Sequence, residues 1–303
     1  MTTLPTPLAL DLRGRSLTRV ADLAAAELET ILDLAADLKH LHARREPHRP
    51  LEGRTLGLLF RKSSTRTRVS LEVAMAHLGG TAIHLAPSEL QLARGESIAD
   101  TARVLSRYLD ALAVRTGPQA EVDHLAATAS IPVLNALTDE EHPLQALADL
   151  LTIRERFGTL DDLRVAWFGD GSNVCVSLAA ACALVGVDFV CASPPGYEAP
   201  GVEVLRDPRA AAAGAHVLVT DVWASMGTHE TDRKPRAHDL APYALHDGLL
   251  DFADPDAIVL HCLPAHPGEE ITASLLYGPR SAVWDEAENR LHTAKALLEL
   301  VLR

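Results

Sequence analysis

The earliest residues able to do chemistry sit in one run, Ser63-Ser64-Thr65-Arg66-Thr67-Arg68, directly after Arg61 and Lys62. Arg61 to Arg68 holds four hydroxyls and four cations, and the next acid is Glu72, in a chain whose net charge is −13. The apolar run Thr55 to Phe60 before them reads as a buried strand. Val69, Val73, Ala74, Ala76 and Leu78 after them recur like the buried face of a helix. A strand that feeds hydroxyls, arginines and backbone N–H groups into a helix N-terminus is suited to holding a phosphate. N-capping by Ser64 or Thr65 accounts for one hydroxyl. It does not account for four cations where the helix dipole disfavours them, so an anion site is the expectation.

Further along, Arg115 closes a strand, where open α/β sheets place ligand groups. Read alone, an arginine there is more often structural. His142-Pro143-Leu144-Gln145 puts an imidazole and an amide on one face of a first helical turn, as a cap or as a polarising pair. Gly169-Asp170-Gly171-Ser172-Asn173 runs from a strand into a helix, which raises a dinucleotide fold. The fingerprint fails at Val174, which takes the third glycine position. It fails again at the strand Val187 to Ala192, which does not end on a ribose-binding acid. A small turn that points Asn173 at a polar ligand fits better. In Asp221-Val222-Trp223-Ala224-Ser225-Met226-Gly227, Asp221 can bind an amine or serve as a turn acid. His261-Cys262-Leu263-Pro264, with His266 beyond it, suggests metal, but the spacing matches no closed zinc set. Cys262 as a nucleophile lacks a readable His–acid partner. Arg290, amid Glu286, Glu288 and Asn289, looks like a surface residue.

Short apolar strands alternating with helices must position these groups. Strands are predicted over Thr81 to Leu85, Ala111 to Arg115, Ile131 to Asn135, Arg164 to Gly169, Val187 to Ala192, His216 to Asp221 and Ala257 to His261. Helices are predicted over Ala24 to Arg45, Ser97 to Tyr108, Val122 to Thr128, Leu144 to Phe157 and Trp284 to Leu302, the fourth joining two halves. Each half is thus expected to be a mostly parallel sheet flanked by helices, an α/β fold of two domains. Gly227 to Tyr243 reads as a long polar loop, either a functional lid or disordered. At 303 residues, 48% hydrophobic and 23% charged, the composition is that of a soluble globular protein. No apolar run approaches a membrane span, and the N-terminus has no secretory signal pattern. The four cysteines show neither a CxxC pair nor a disulfide framework, which points to the cytoplasm. The acidic balance argues against nucleic acid.

Taken together, Ser64-Thr65-Arg66-Thr67, His142-Pro143-Leu144-Gln145, Asp221 to Gly227 and His261-Cys262-Leu263-Pro264, in this order, resemble the aspartate/ornithine carbamoyltransferase family. The resemblance runs from about Leu23 to the C-terminus. It implies residues 1–141 as a carbamoyl phosphate-binding domain to which the C-terminal helix 286–303 returns, and 142–285 as an ornithine-binding domain. By the resemblance, Ser64, Thr65, Arg66 and Thr67 hold the phosphate, while Arg115 and His142 hold the carbonyl oxygen. Gln145 binds the carbamoyl amide, and Cys262, Leu263 and Arg290 lie near the carbamoyl group. Gln91 sits in a loop that family members lend to a neighbouring subunit. The family's glycine two residues later is Ala93 here. Asp221 would pair with the α-ammonium of ornithine, and Asn173, Ser225 and the backbone at Met226 with its carboxylate and amine. Arg115, His142, Cys262 and Arg290 are the implied catalytic set.

The implied reaction moves the carbamoyl group to the δ-amine of L-ornithine, giving citrulline and phosphate, with no metal or organic cofactor. The implied assembly is a homotrimer or trimers assembled further. Arginine biosynthesis and arginine breakdown share this chemistry. Carbamoyl transfer to aspartate, putrescine or an N-acylated ornithine is the nearest alternative. A nicotinamide-dependent oxidoreductase built on the Gly169 turn, and a non-catalytic family member, are the others.

Overall fold

The computed structural model describes residues 12–86, 88, 90–224 and 230–303. The chain divides into two compact units, one running to Asp139 and resuming at Arg290–Arg303, the other spanning Glu140–Asn289.

In the first unit, β1 (Thr55–Phe60), β2 (Thr81–Leu85), β3 (Ala111–Arg115) and β4 (Val133–Leu137) form a parallel sheet in the order β2-β1-β3-β4. Helices α1 (Ala25–Ala43), α2 (Thr65–His77), α3 (Ile98–Leu105) and α4 (Gln119–Thr128) cover it. Apart from Thr55 and Arg115 at their ends, the central strands β1 and β3 are apolar because both faces are buried, while the edge strand β2 is partly exposed. Leu59, Ala102, Leu112, Val114, Val122, Leu125 and Val133 form one core between sheet and helices. The buried face of α2 is Thr67, Leu71, Ala74 and Met75, continued by Leu78. Val69 is 50% exposed, so the face predicted from Val69 and Val73 is rotated by about half a turn. Helical spacing fixes the period of a stripe but not its phase when small residues surround it. The predicted strand Ile131 to Asn135 lies two residues later, at β4.

In the second unit, β5 (Arg164–Phe168), β6 (Asp188–Ala192), β7 (Glu203–Leu205), β8 (Val217–Thr220) and β9 (Ile258–His261) are parallel in the order β7-β6-β5-β8-β9. Its helices are α5 (Pro143–Phe157), α6 (Asn173–Val185), α7 (Pro208–Ala212), α8 (Glu230–Leu240), α9 (Asp247–Leu250) and α10 (Ala273–Leu276). The predicted joining helix α5 lies wholly in this unit. The polar loop predicted over Gly227 to Tyr243 contains α8, which forms despite Pro235. The terminal helix α11 (Val283–Leu302) belongs to this unit as far as Asn289 and to the first unit from Arg290. Its first-unit portion is anchored there by Lys295 Nζ, which donates to the Leu38 carbonyl at 3.1 Å.

Both sheets reverse their strand order once. In the first, β1 leads outward to β2 and the chain then returns to β3 on the other side. In the second, β5 leads to β6 and β7, and the chain then returns to β8. Where neighbouring connections leave in opposite directions, the carboxyl ends of the strands leave a crevice that ligands occupy. The crevices lie after Phe60 and Arg115, paired in register, and after Phe168 and Thr220, also paired.

Candidate active site residues

The first crevice gathers the hydroxyl and arginine run. Ser64 caps α2, its Oγ accepting from Thr67 N at 3.2 Å, and Thr65 begins the helix. Thr67 is 1% exposed, and its Oγ1 accepts from Arg290 Nη2 at 2.9 Å. Arg290 is itself buried, which corrects its reading as a surface residue. Its neighbours in sequence are acids and amides, but the helix turns Arg290 inward. Arg66 lies in the first turn of α2, half-buried. Arg115 closes β3 at a register shift and is buried, and its carbonyl accepts from Arg61 N at 2.8 Å.

The other three cations of the run each have an acid. Arg61 Nε donates to Glu121 Oε1 at 2.7 Å, Lys62 pairs with Asp139, and Arg68 with Glu72 at 2.8 Å. Glu121 also accepts from Thr116 Oγ1 at 2.7 Å, so one buried carboxylate joins the segments that follow β1 and β3. Nothing in the spacing of Glu121 pointed to this; its partners lie 60 and 5 residues away. Gln91 sits in an exposed 3₁₀ turn, Gln91–Arg94, and accepts from Arg94 Nη1 at 3.4 Å.

In the second unit, His142 stands at the N-cap position of α5 without a side-chain capping bond, and Pro143 is the first helical residue. The buried His142 donates its backbone N–H to Ser177 Oγ at 2.8 Å, and Ser177 in turn donates to Glu141. Gln145, 1% exposed, donates both amide protons, to Asp149 Oδ1 at 2.7 Å and to Glu286 Oε1 at 2.8 Å. Those two bonds fix the rotamer of the amide and distinguish its oxygen from its nitrogen. The second oxygen of Glu286 accepts from His261 N at 2.8 Å. Glu286 thereby joins the start of α5 to the end of β9.

The second crevice holds Asp221 just beyond β8. Its Oδ1 accepts from Cys262 Sγ at 3.0 Å and from Val222 N at 2.7 Å, and its Oδ2 from Ser172 Oγ at 3.4 Å. Burial, with the Asp221 and Glu286 carboxylates nearby, pushes the Cys262 thiol well above its ordinary range. Cys262 is therefore a protonated donor to Asp221, not a thiolate nucleophile. Asn173 starts α6, right after its cap Ser172. Ser225 and Met226 lie outside the described residues.

Asp221, His261 and Cys262 carry potential ligand atoms within 4.8 Å of one another. His261, however, is fully buried and engaged on both sides of its ring. Its Nδ1 accepts from Leu263 N at 2.9 Å and its Nε2 faces Glu270 Oε1 at 3.2 Å, which assigns the proton to Nε2. The ring holds Leu263 at φ +57°, a left-handed conformation that a leucine adopts only under constraint. A cis peptide bond to Pro264 follows.

Gly171 packs closely against protein backbone. A Cβ there would stand 2.2 Å from Ala199 N, so the glycine admits the Ser193 to Pro200 loop. Its N–H donates to Tyr197 O at 2.8 Å. Arg236, on α8, ties that helix to the same turn: it pairs with Asp170, donates to Trp223 O at 2.9 Å and lies 5.0 Å over the Tyr197 ring.

Known proteins share this architecture along the whole chain. Residues 15–155 match the family described as aspartate/ornithine carbamoyltransferase, carbamoyl-P binding domain, and residues 161–301 match its Asp/Orn binding domain. An ornithine carbamoyltransferase of Thermosynechococcus vestitus is 55% identical over 96% of this chain and 97% of its own. The solved structure of ornithine carbamoyltransferase from Pyrococcus furiosus is 47% identical, covers 97% of this chain and 99% of that one, and superposes with a TM-score of 0.93. The enzyme from Thermus thermophilus is 43% identical over 99% and 100% of the two chains, with a TM-score of 0.88. Two sheets with reversed strand order, matched over residues 15–155 and 161–301 by the two domain models, mark the chain as a member of the aspartate/ornithine carbamoyltransferase family.

Proposed function

We propose that this chain transfers the carbamoyl group of carbamoyl phosphate to the δ-amine of L-ornithine, releasing L-citrulline and phosphate. The observation that carries the reading is Asp221 in the second crevice, where Cys262 and Ser172 both donate to it. A fixed carboxylate there suits an acceptor that brings an ammonium group, and disfavours a dicarboxylate such as aspartate.

The roles follow from chemistry. The Ser64–Thr67 turn and Arg66 take the phosphate, with Arg290 bonded to the same turn through Thr67. Arg115 and His142 supply donors to the carbonyl oxygen, which becomes an oxyanion as the amine adds. Gln145, with its N–H groups committed to Asp149 and Glu286, offers its carbonyl oxygen to the carbamoyl NH₂. Asp221 takes the α-ammonium, Asn173, Ser225 and the Met226 backbone take the rest of the amino-acid end, and Cys262 and Leu263 border the δ-amine.

In the reaction a C–N bond forms at the carbamoyl carbon and the C–O bond to phosphate breaks. The δ-amine, with a solution pKa of about 10.4, must first lose a proton. That proton is gone before the attack; the second proton, shed by the nitrogen once the C–N bond has formed, goes to the departing phosphate, because the Cys262 thiol already holds its own proton. Alignment of the two substrates supplies much of the remaining acceleration.

We further assign the 1–141 and 286–303 segments to carbamoyl phosphate and 142–285 to ornithine. The working assembly is a homotrimer in which the exposed Gln91 turn serves a neighbouring subunit. Among the described residues no helix is long and apolar enough to cross a membrane. The cytoplasm is the proposed location. Citrulline formation should be assayed with ornithine, putrescine, aspartate and N-acetylornithine side by side. Ornithine should be preferred by orders of magnitude, and a preference for any other acceptor would overturn the assignment.

A further inference from the structure

The first unit holds a cavity of about 250 Å³ lined by none of the residues given a role in the proposed reaction. It opens where the C-terminal ends of α1 and α2 meet α11. Leu38, Leu41 and Pro47 form an apolar wall. Lys295 reaches into it from α11; the residue is 4% exposed, and its ammonium donates to the Leu38 carbonyl at 3.1 Å. An ammonium carries three donors, and among the described residues one of them is used, in that bond. The nearest acid along the helix, Glu299, is already engaged by His48 Nε2 at 2.7 Å and Arg303 at 3.1 Å. Opposite, the His42 and His77 rings stack with centroids 4.8 Å apart. Nδ1 of His77 is buried with no hydrogen-bond partner among the described residues.

A buried cation with unused donors beside an apolar wall lacks an anionic partner that also has an apolar body. We infer that this cavity binds a small organic carboxylate, its charge on Lys295 Nζ and its body against Leu38, Leu41 and the His42–His77 stack. At about 30 Å³ per water the space equals roughly eight waters, room for a ligand of benzoate size. The inference stands apart from the proposed reaction.

Protons should accompany binding. Burial lowers the Lys295 ammonium to about 8, with Glu299 opposing the shift. His292, 5.7 Å from His42, is held neutral by burial and by the Lys295 and Lys39 charges, and His77 is lowered by burial and His42. Arg45 and Glu46, both exposed at the rim, oppose each other in charge. A carboxylate on Lys295 would restore its proton, so binding at pH 8 takes up about half a proton. Affinity should fall up to tenfold per pH unit above that.

The test is calorimetric titration of the purified chain with sodium benzoate at pH 8, in two buffers of different ionisation enthalpy. Sodium phosphate is titrated in parallel. Saturable binding, on the order of millimolar for a ligand of this size, with proton uptake, is the expected result. Lys295→Met should weaken it at least tenfold and remove the uptake. Leu41→Trp, which fills the cavity and leaves the ammonium in place, should abolish it and serves if Lys295→Met does not fold. Absence of saturable benzoate binding, or binding unchanged in the folded variant, overturns the inference. Phosphate binding as tightly as benzoate, with the same dependence on Lys295, overturns it too, because the apolar body would then contribute nothing.

Discussion

Replacing Thr67 by valine keeps the side-chain volume and removes one hydroxyl. That hydroxyl accepts from Arg290 Nη2 at 2.9 Å, and the two residues are 1% and 4% exposed. A hydrogen bond to a charged group contributes about 1.5–3 kcal/mol, and a buried guanidinium short of an acceptor feels the loss in full. The hydroxyl also belongs to the turn proposed to hold phosphate, so the loss should appear in carbamoyl phosphate kinetics. At about 1.4 kcal/mol per decade, Thr67→Val should lower kcat/KM for carbamoyl phosphate by about 10- to 150-fold. Arg290→Met should lower it further, since a charge goes as well. The double variant is the sharper measurement. Once Arg290 is gone, the Thr67 hydroxyl has lost that donor, and its removal should matter less. The two losses should therefore fall short of additivity by about 1.5 kcal/mol or more. Initial rates of citrulline formation over a range of carbamoyl phosphate, at saturating ornithine, measure all four corners. Losses that add to within about 0.5 kcal/mol would refute the coupling and return Arg290 to a packing role.

Arg66→Ala should remove most activity by weakening carbamoyl phosphate; near-normal turnover with an unchanged KM for that substrate would sink the phosphate-turn assignment. Cys262→Ser keeps a donor to Asp221 and should hold the ornithine KM within about threefold, whereas Cys262→Ala should raise it about tenfold; equal effects of the two would show that the thiol proton does not matter. In Glu286→Gln an N–H must face either the Gln145 amide or the His261 N–H, a mismatch of about 1–3 kcal/mol. Transfer to ornithine should fall about 5- to 150-fold, while protection of the phosphate turn by inorganic phosphate persists; equal weakening of both would point to general unfolding. Burial lowers His292 to about 3 from an ordinary 6.5. Between those values the unfolded chain holds the extra proton, so this stability is present above pH 6.5 and is lost as pH falls toward 3. His292→Phe should flatten the acid limb of the stability curve by up to about 1.4 kcal/mol per pH unit, measured by urea unfolding, and an unchanged slope would contradict it.

The sequence displays most of the architecture because strands buried on both faces cannot hide. β1, β3, β5, β8 and β9 are short apolar runs bounded by polar turns, and each is found within two residues of its predicted position. β7 escaped because an edge strand of three residues has no pattern to read. α8 escaped because Lys234, Pro235 and their polar neighbours carry no apolar stripe. What tethers that helix is long-range: Arg236 reaches Asp170, Trp223 and Tyr197, and Asp239 accepts from Tyr197 Oη at 3.1 Å. The candidate residues were legible where a motif joins a strand end to a helix start. Ser64, Arg115, Asn173 and Asp221 all stand there, since a crevice draws its groups from the carboxyl ends of strands. Arg290 was not legible, because helix phase and tertiary burial decide whether a charge on a polar face turns inward.

Two glutamates found only in three dimensions explain how such groups keep their places. Glu121 accepts from Arg61 and from Thr116, the segments on either side of the first crevice. Glu286 accepts from Gln145 and from His261 N, one at the start of α5 and the other at the end of β9. Each carboxylate uses its two oxygens to span elements that the chain connects only through long excursions. A carboxylate suits this because both its ends accept, so two donors from separate segments can be fixed without either competing for a proton. The donors so fixed are backbone or rigid side-chain groups adjoining Arg115, Gln145 and Cys262, the residues given direct roles. A site whose groups come from loops at several strand ends needs such cross-links, because a shift on the order of an ångström in a donor can cost about a hundredfold in rate.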